Sequence, residues 1–142
     1  MSVTSSDFLT CAESIATGAT EIDSRSAVSR AYYSAYHAAS EIADLHFPDA
    51  EAHLSKGAHE RLSDRFLGSG NLKAKGVGYM LIVLKKSRHR ADYSLNETID
   101  GDEAAQAIAN ARKIHAQLMN CVPSDAGASS AGDGAKPAKS GS

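Results

Sequence analysis

A positively charged stretch near the middle of the chain has the residue types best suited to chemistry on phosphate. Residues 65–91 contain no Asp or Glu. The same stretch carries seven cations, which are Arg65, Lys73, Lys75, Lys85, Lys86, Arg88 and Arg90. Because the formal net charge of the whole chain is −2, the acids are concentrated elsewhere. One face or end of the fold is therefore expected to be locally positive and to attract phosphate groups.

The end of this stretch, Arg88-His89-Arg90-Ala91-Asp92-Tyr93, places several functional groups within six residues. The guanidinium of Arg88 can steady a phosphate through charge-assisted hydrogen bonds. The imidazole of His89 titrates in the range that proton transfer at neutral pH requires. These residues are therefore the first candidates for a functional site.

Each of these candidates also has a purely structural explanation. Arg88 and Asp92 stand four residues apart, which is the spacing of an ordinary ion pair on one helix. Tyr93 at a helix end is typical of a packing residue with a solvated hydroxyl. A helix dipole favours cations at its C-terminus, so a solvated helix end would explain the remaining basic residues, Lys85, Lys86 and Arg90.

Hydrophobic periodicity predicts five helices that would position these residues. They span about Ser6–Thr17, Arg25–Leu45, Ser55–Leu67, Asn71–Ala91 and Asp102–Met119. In the second segment, apolar residues recur at steps of three and four, and its many alanines permit close approach of a neighbouring helix. The sequence therefore predicts an all-α helical bundle.

The fourth segment contains an apolar run, Val77–Leu84, that also suits a buried strand. Its length and the absence of a turn favour a helix, although Gly76 and Gly78 each cost roughly 1 kcal/mol relative to Ala in that setting. The same run is the longest apolar one and is too short to cross a bilayer. With no leader-like segment at the N-terminus, we expect a cytoplasmic protein with no membrane association.

Composition divides the chain into a folded part, residues 1–121, and a tail, residues 122–142. From Pro123 onward the tail contains only Pro, Ser, Asp, Ala, Gly and Lys, which predicts disorder. Cys11 and Cys121 lie far apart, outside any CxxC or Cys/His cluster. Neither a metal, a cofactor nor a disulfide framework is predicted.

The second helical segment holds further candidates. Arg30 and His37 are seven residues apart and share one helical face, but the alanine-rich surroundings favour a structural role. Three tyrosines of this segment could stack on bases, although such a cluster is more typical of a core or an interface. They are Tyr32, Tyr33 and Tyr36. The remaining histidines considered, His46, His53 and His59, lack the spacing of metal ligands.

Two stretches resemble the HEPN family. The first, Ser26–Ala39, reads SAVSRAYYSAYHAA and resembles the long second helix of that family. The second, Arg88–Tyr93, resembles the R-x-x-A-D-Y end of its fourth helix. Their order and their separation of about sixty residues also fit the family.

The resemblance implies an up-and-down bundle of four to five helices, commonly a homodimer, with the fourth-helix motif beside the dimer groove. Many such proteins are metal-independent ribonucleases, often toxins of toxin–antitoxin or phage-defence modules, and others have no known catalytic activity. The family's catalytic pattern is an Arg followed by a polar residue, with a His four to six residues beyond the Arg. Arg88-His89 matches the opening of that pattern, but Tyr93 occupies the place of the His.

Three hypotheses follow. In the first, the chain is a HEPN-like ribonuclease toxin or defence protein. Arg88 contacts the scissile phosphate, His89 or Tyr93 assists proton transfer and Asp92 orients Arg88. The RNA backbone then contacts the basic residues Lys85, Lys86 and Arg90.

In the second hypothesis, the chain is a non-catalytic module that binds RNA, a nucleotide or a partner such as a nucleotidyltransferase-type antitoxin. In the third, the bundle serves oligomerisation only.

Overall fold

Five α-helices and no strand make up the residues that the computed structural model describes, 2–48 and 56–122. The helices are α1 Ser5–Ile15, α2 Glu21–His46, α3 Ala58–Leu67, α4 Leu72–Tyr93 and α5 Gly101–Cys121. This confirms the predicted all-α class. The predicted tail lies outside the described residues apart from Val122, as does the predicted start of the third helix at Ser55. None of the described helices is both long enough and apolar enough to cross a membrane.

Two capping boxes place the starts of α1 and α2 earlier than predicted. Thr20 accepts a hydrogen bond from the backbone N–H of Asp23, whose carboxylate accepts one from the N–H of Thr20. Thr4 and Asp7 make the same reciprocal pair at α1. Since each box satisfies free N–H groups of a first turn, α2 begins four residues before the predicted Arg25.

The central helix is α2, which packs against all four other helices. Its alanines make these contacts and are buried; they are Ala27, Ala31, Ala35, Ala38, Ala39 and Ala43. Small side chains let helix axes approach closely, so the predicted role of this alanine-rich surface is confirmed. The large side chains Tyr32 and Val28 fill the remaining space on α2.

The two glycines of α4 have different surroundings. A Cβ atom on Gly78 would lie 2.9 Å from the side chain of Leu67 and 3.2 Å from the carbonyl oxygen of Ser63. A Cβ atom on Gly76 would meet nothing within 4 Å. Gly78 therefore allows α3 to pack close to α4, whereas no contact explains Gly76.

A buried arginine of α2 fixes the end of α4. Arg25 is 7% exposed and donates hydrogen bonds to the carbonyl oxygens of Ala91, Ser94 and Glu97. Its Nε donates to the carboxylate of Glu21 over 3.0 Å. Carbonyl groups at a helix C-terminus have no intrahelical partner, so Arg25 satisfies the buried one of Ala91 and also binds the loop that follows α4. The segment that carries the candidate site is therefore held against α2.

Candidate functional site

Arg88 lies on the face of α4 that packs against α2. Its guanidinium carbon is 5.3 Å from the centre of the Tyr32 ring and 5.7 Å from that of Tyr33. Its side chain is only 11% exposed. Cations are attracted to the faces of aromatic rings, and the attraction strengthens as water is excluded. The two rings therefore hold the Arg88 guanidinium in a fixed position.

The hydrogen-bonding capacity of Arg88 is mostly unused. Its Nη1 donates to Oδ2 of Asp92 over 3.3 Å, and the same oxygen accepts from the hydroxyl of Ser29 over 3.3 Å. Its Nε is buried and has no hydrogen-bond partner in the described part of the chain. A guanidinium has five N–H donors, so Arg88 retains capacity for an anionic ligand.

A histidine from α3 completes this cluster. The Nδ1 atom of His59 is 2.5 Å from the hydroxyl oxygen of Tyr32, which is a hydrogen-bonding distance. The ring of Tyr36 lies 4.5 Å from the His59 ring, centre to centre. Tyr32 thus contacts His59 through its hydroxyl and Arg88 through its ring. We call Arg88, Asp92, Tyr32, Tyr36 and His59 the Arg88 cluster.

Burial and nearby cations set the protonation states in the Arg88 cluster. Burial lowers the pKa of His59, and the positive charges of Arg88, Lys85 and His37 lower it further. Burial also raises the pKa of Tyr32, despite the opposing effect of Arg88. At neutral pH, His59 is therefore a neutral imidazole and Tyr32 a protonated phenol.

His89 and Tyr93 lie on a different side of α4 from Arg88. Adjacent residues on an α-helix point about 100° apart, so His89 cannot share the direction of Arg88. The rings of His89 and Tyr93 pack on each other with 4.9 Å between their centres. Tyr93 is 65% exposed. The structure therefore brings Arg88 together with Asp92, and His89 together with Tyr93, as two separate pairs.

A groove with a volume of about 540 Å³ runs between α3 and α4. Eight residues line it: Glu60, Ser63, Asp64, Ile82, Lys85, Lys86, His89 and Arg90. Among the described residues, no carboxylate forms an ion pair with Lys85 or Lys86. On the opposite wall, Asp64 pairs with Lys56 over 2.7 Å. The groove therefore presents two free ammonium groups beside an imidazole.

Arg90 is less available for phosphate than the sequence predicts. Its Nε donates to Glu97 over 2.9 Å, and its Nη1 donates to Glu103. These two hydrogen bonds raise the pKa of Arg90, so the guanidinium stays protonated. The negative charges of the two carboxylates offset its positive charge. A phosphate at this position would have to compete with both carboxylates.

The other sequence candidates have simpler surroundings. Arg30 packs over the rings of Phe8 and Tyr33, at 5.6 and 5.8 Å from their centres. His37 is exposed and packs against Phe8, with 5.0 Å between ring centres. Within residues 2–48 and 56–122, no three His, Cys, Asp or Glu side chains are placed to hold a metal ion.

Sequence reasoning missed His59 and Arg25. It considered His59 only as a metal ligand, and no spacing rule connects that residue with Arg88. The hydrogen bond to Tyr32 depends on how α3 packs against α2, which single-helix patterns do not report. The sequence predicts Arg25 only as the first residue of α2, since its distant carbonyl partners have no sequence signal.

Comparisons of the chain with models of protein families, with curated proteins and with solved structures found no match in any of the three.

Proposed function

We propose that this chain is a HEPN-like, metal-independent ribonuclease of the toxin or defence type, in which Arg88 contacts the scissile phosphate. The observation that supports this most directly is the state of Arg88. Its side chain is held between α4 and α2, yet it makes only one described hydrogen bond. A cation fixed in advance, with free donors, is what stabilisation of a charged transition state requires.

The chemistry needs no metal ion. The 2′-hydroxyl oxygen of RNA attacks the adjacent phosphorus, and the bond from phosphorus to the 5′-oxygen breaks. The pentacoordinate phosphorane formed on the way carries extra negative charge, which Arg88 would stabilise. Asp92, 3.3 Å from the guanidinium, orients Arg88. His89 and Tyr93 are the candidates for proton transfer on α4, although a phenol titrating near pH 10 is a poor base at neutral pH.

The lysines of the groove would guide the RNA backbone to Arg88. Lys85 lowers the pKa of His59 in the Arg88 cluster and also lines the groove between α3 and α4. Lys86 and His89 continue the groove along α4. A phosphate bound by the lysines would therefore lie on a strand that continues towards Arg88. Binding of this kind is electrostatic and independent of base sequence.

RNA cleavage by the purified protein tests the proposal. Labelled single-stranded RNA is incubated with the protein in EDTA, and the ends of the products are identified. We expect 2′,3′-cyclic phosphate and 5′-hydroxyl ends, with a rate that Arg88→Ala lowers about 100-fold or more. Arg88→Lys keeps the charge without the planar set of donors and should retain part of the rate. Arg112→Ala, which removes an exposed ion pair between α5 and Glu13 of α1, is the matched control. Equal rates for wild type and Arg88→Ala would refute the assignment.

A second candidate is a non-catalytic module that binds RNA, a nucleotide or a partner protein. It is favoured by Tyr93, which stands where the family pattern has a His and is exposed rather than part of the Arg88 cluster. Binding of labelled RNA without cleavage would support this function. So would binding of a nucleotidyltransferase-type antitoxin without any growth defect when the chain is overproduced. Toxicity that Arg88→Ala relieves would exclude it.

Assembly as a homodimer belongs to the same proposal. Light scattering coupled to size-exclusion chromatography measures the mass directly, and a dimer is expected. If neutralising Lys85 and Lys86 changed neither RNA binding nor cleavage, a bundle that serves only oligomerisation would be favoured instead.

A further inference from the structure

We infer that His59 of α3, rather than a residue of α4, is the general base that acts with Arg88 on RNA. This inference rests on the proposed ribonuclease function and names the catalytic residue that the Arg88–Tyr93 segment lacks. It comes from the contacts of Tyr32, which touches both Arg88 and His59.

Tyr32 fixes the relative positions of the two groups. Its ring lies under the Arg88 guanidinium, 5.3 Å from the guanidinium carbon, and its hydroxyl lies 2.5 Å from Nδ1 of His59. Tyr36 packs on the imidazole ring at 4.5 Å. A catalytic pair must be held in a fixed geometry, and here one buried side chain holds both members. His59 is itself only partly buried.

The hydrogen bond also determines which nitrogen faces the substrate. With Nδ1 engaged by Tyr32, Nε2 is the free nitrogen of His59. The proposal requires the tautomer in which Nδ1–H donates to the phenol oxygen, since Nε2 then carries a lone pair and can accept a proton. The phenol keeps its own proton because burial raises the pKa of Tyr32. Burial and the nearby charges of Arg88 and Lys85 keep His59 neutral, which is the state that a base requires.

The proposed step balances without a metal or a cofactor. Nε2 of His59 takes the proton of the 2′-hydroxyl as the 2′-oxygen bonds to phosphorus. The bond between phosphorus and the 5′-oxygen then breaks, and the leaving oxygen takes a proton from water. Arg88 neutralises the added charge on the phosphoryl oxygens during the step. The imidazolium of His59 returns its proton to solvent, so that the enzyme is regenerated.

The test compares cleavage of labelled single-stranded RNA by wild type and by His59→Asn across a pH series, with RNA affinity measured in parallel. Asparagine can keep a hydrogen bond to Tyr32 but cannot titrate. We expect the rate to fall about 100-fold or more with RNA affinity preserved. We also expect the wild-type rate to rise with pH to a plateau, with a midpoint below 6.5, and this rise to be lost in the variant. His115→Asn, which alters another partly buried histidine, should keep the wild-type profile.

The outcomes separate the inference from the proposed function. Cleavage by wild type that His59→Asn leaves unchanged would overturn the role of His59 and leave the ribonuclease proposal intact. A loss of cleavage no greater than the loss of RNA affinity would also overturn it. No cleavage by wild type, with no difference from Arg88→Ala, would refute both the role of His59 and the ribonuclease proposal.

Tyr32→Phe provides a second readout if His59→Asn fails to fold, since it deletes only the hydroxyl. It should shift the midpoint of the pH profile, and an unchanged midpoint would count against His59.

Discussion

Arg25 of α2 donates a hydrogen bond of 2.9 Å to the carbonyl oxygen of Ala91 in the last turn of α4, although 66 residues separate them in the chain. Charge-assisted hydrogen bonds of this kind are roughly twice as strong as neutral ones. The contact ties the N-terminal turn of α2 to the segment that carries Arg88. The position of the candidate site therefore depends on a residue that takes no part in its chemistry.

Replacing Arg25 with Ala should destabilise the fold by about 2 to 4 kcal/mol, because the buried carbonyl group of Ala91 and the partly buried ones of Ser94 and Glu97 lose their donor. Urea denaturation followed by circular dichroism measures the change in the free energy of unfolding. Arg112→Ala is the control, since Arg112 is 58% exposed and its pair with Glu13 lies at the surface. The control should change stability by less than about 1 kcal/mol. Equal effects of the two variants would show that the buried contacts of Arg25 do not stabilise α4.

Replacing the two glycines of α4 with alanine, one at a time, should change the stability of the protein in opposite directions. Gly76→Ala should stabilise the protein by about 0.5 to 1 kcal/mol, because alanine is the better helix former and the new methyl group meets nothing. Gly78→Ala should destabilise by about 1 to 3 kcal/mol, because its methyl group would push against Leu67 and the backbone of Ser63. Thermal unfolding of the two variants provides the comparison. A gain in stability at Gly78 would mean that α3 can move away from α4 at little cost.

Stability should fall as the pH is lowered from about 7.5 to 5. Burial lowers the pKa of His115, and burial with nearby cations lowers that of His59, from the ordinary value of 6.5. Below pH 6.5 the unfolded chain therefore binds protons before the folded chain does, which favours unfolding until the folded-state pKa values are passed. The pKa of Glu21 is also lowered, mainly by hydrogen bonds from the backbone of Ile99 and from Arg25. Protonation of Glu21 therefore lowers the stability of the fold only below pH 4.5.

Urea denaturation at several pH values checks this dependence. His59→Asn and His115→Asn should each flatten the curve between pH 7.5 and 5, and the double variant should flatten it most. Arg112→Ala serves as the control and should leave the slope as it is in wild type, because it removes no group that titrates between pH 7.5 and 5. A slope that survives in the double variant would require another titrating group.

Charge reversal at Lys85 and Lys86 should weaken RNA binding and reduce its dependence on salt. Each phosphate contact with single-stranded RNA contributes about 0.7 to the slope of log affinity against log salt, so losing two should reduce the slope by about 1.4. Fluorescence anisotropy of labelled RNA between 50 and about 200 mM salt measures this slope. Arg112→Glu together with Lys113→Glu, at exposed positions of α5, is the control for the same change in net charge. If the control has the same effect, the lysines of the groove have no specific role.

The helices were largely predictable because each follows from local patterns. Apolar spacing located α2, α4 and α5, although α5 begins at Gly101, one residue before the predicted Asp102, because the side chain of Asp100 accepts a hydrogen bond from the N–H of Glu103. The start of α2 was missed because Thr20 and Asp23 were not recognised as a capping box. The intrahelical pair of Arg88 and Asp92 also follows from spacing alone and is present at 3.3 Å.

The arrangement of the site was less predictable because it depends on contacts between helices. The sequence marks Arg88 and His89 as neighbours, but the helix turns them towards different surroundings. Nothing in the local pattern connects His59 with Tyr32, and their hydrogen bond exists only after α3 has packed on α2. The ion pair of Arg90 with Glu103 likewise forms only when α5 packs alongside α4.

The tyrosines of α2 also provide a direct optical signal from the site. The chain has no Trp, and three of its five Tyr residues, Tyr32, Tyr33 and Tyr36, pack together with His59. The other two, Tyr79 and Tyr93, are exposed. Near-ultraviolet absorption and fluorescence of the unlabelled protein therefore include a signal from these three tyrosines. Ligand titrations can follow the site without any introduced dye.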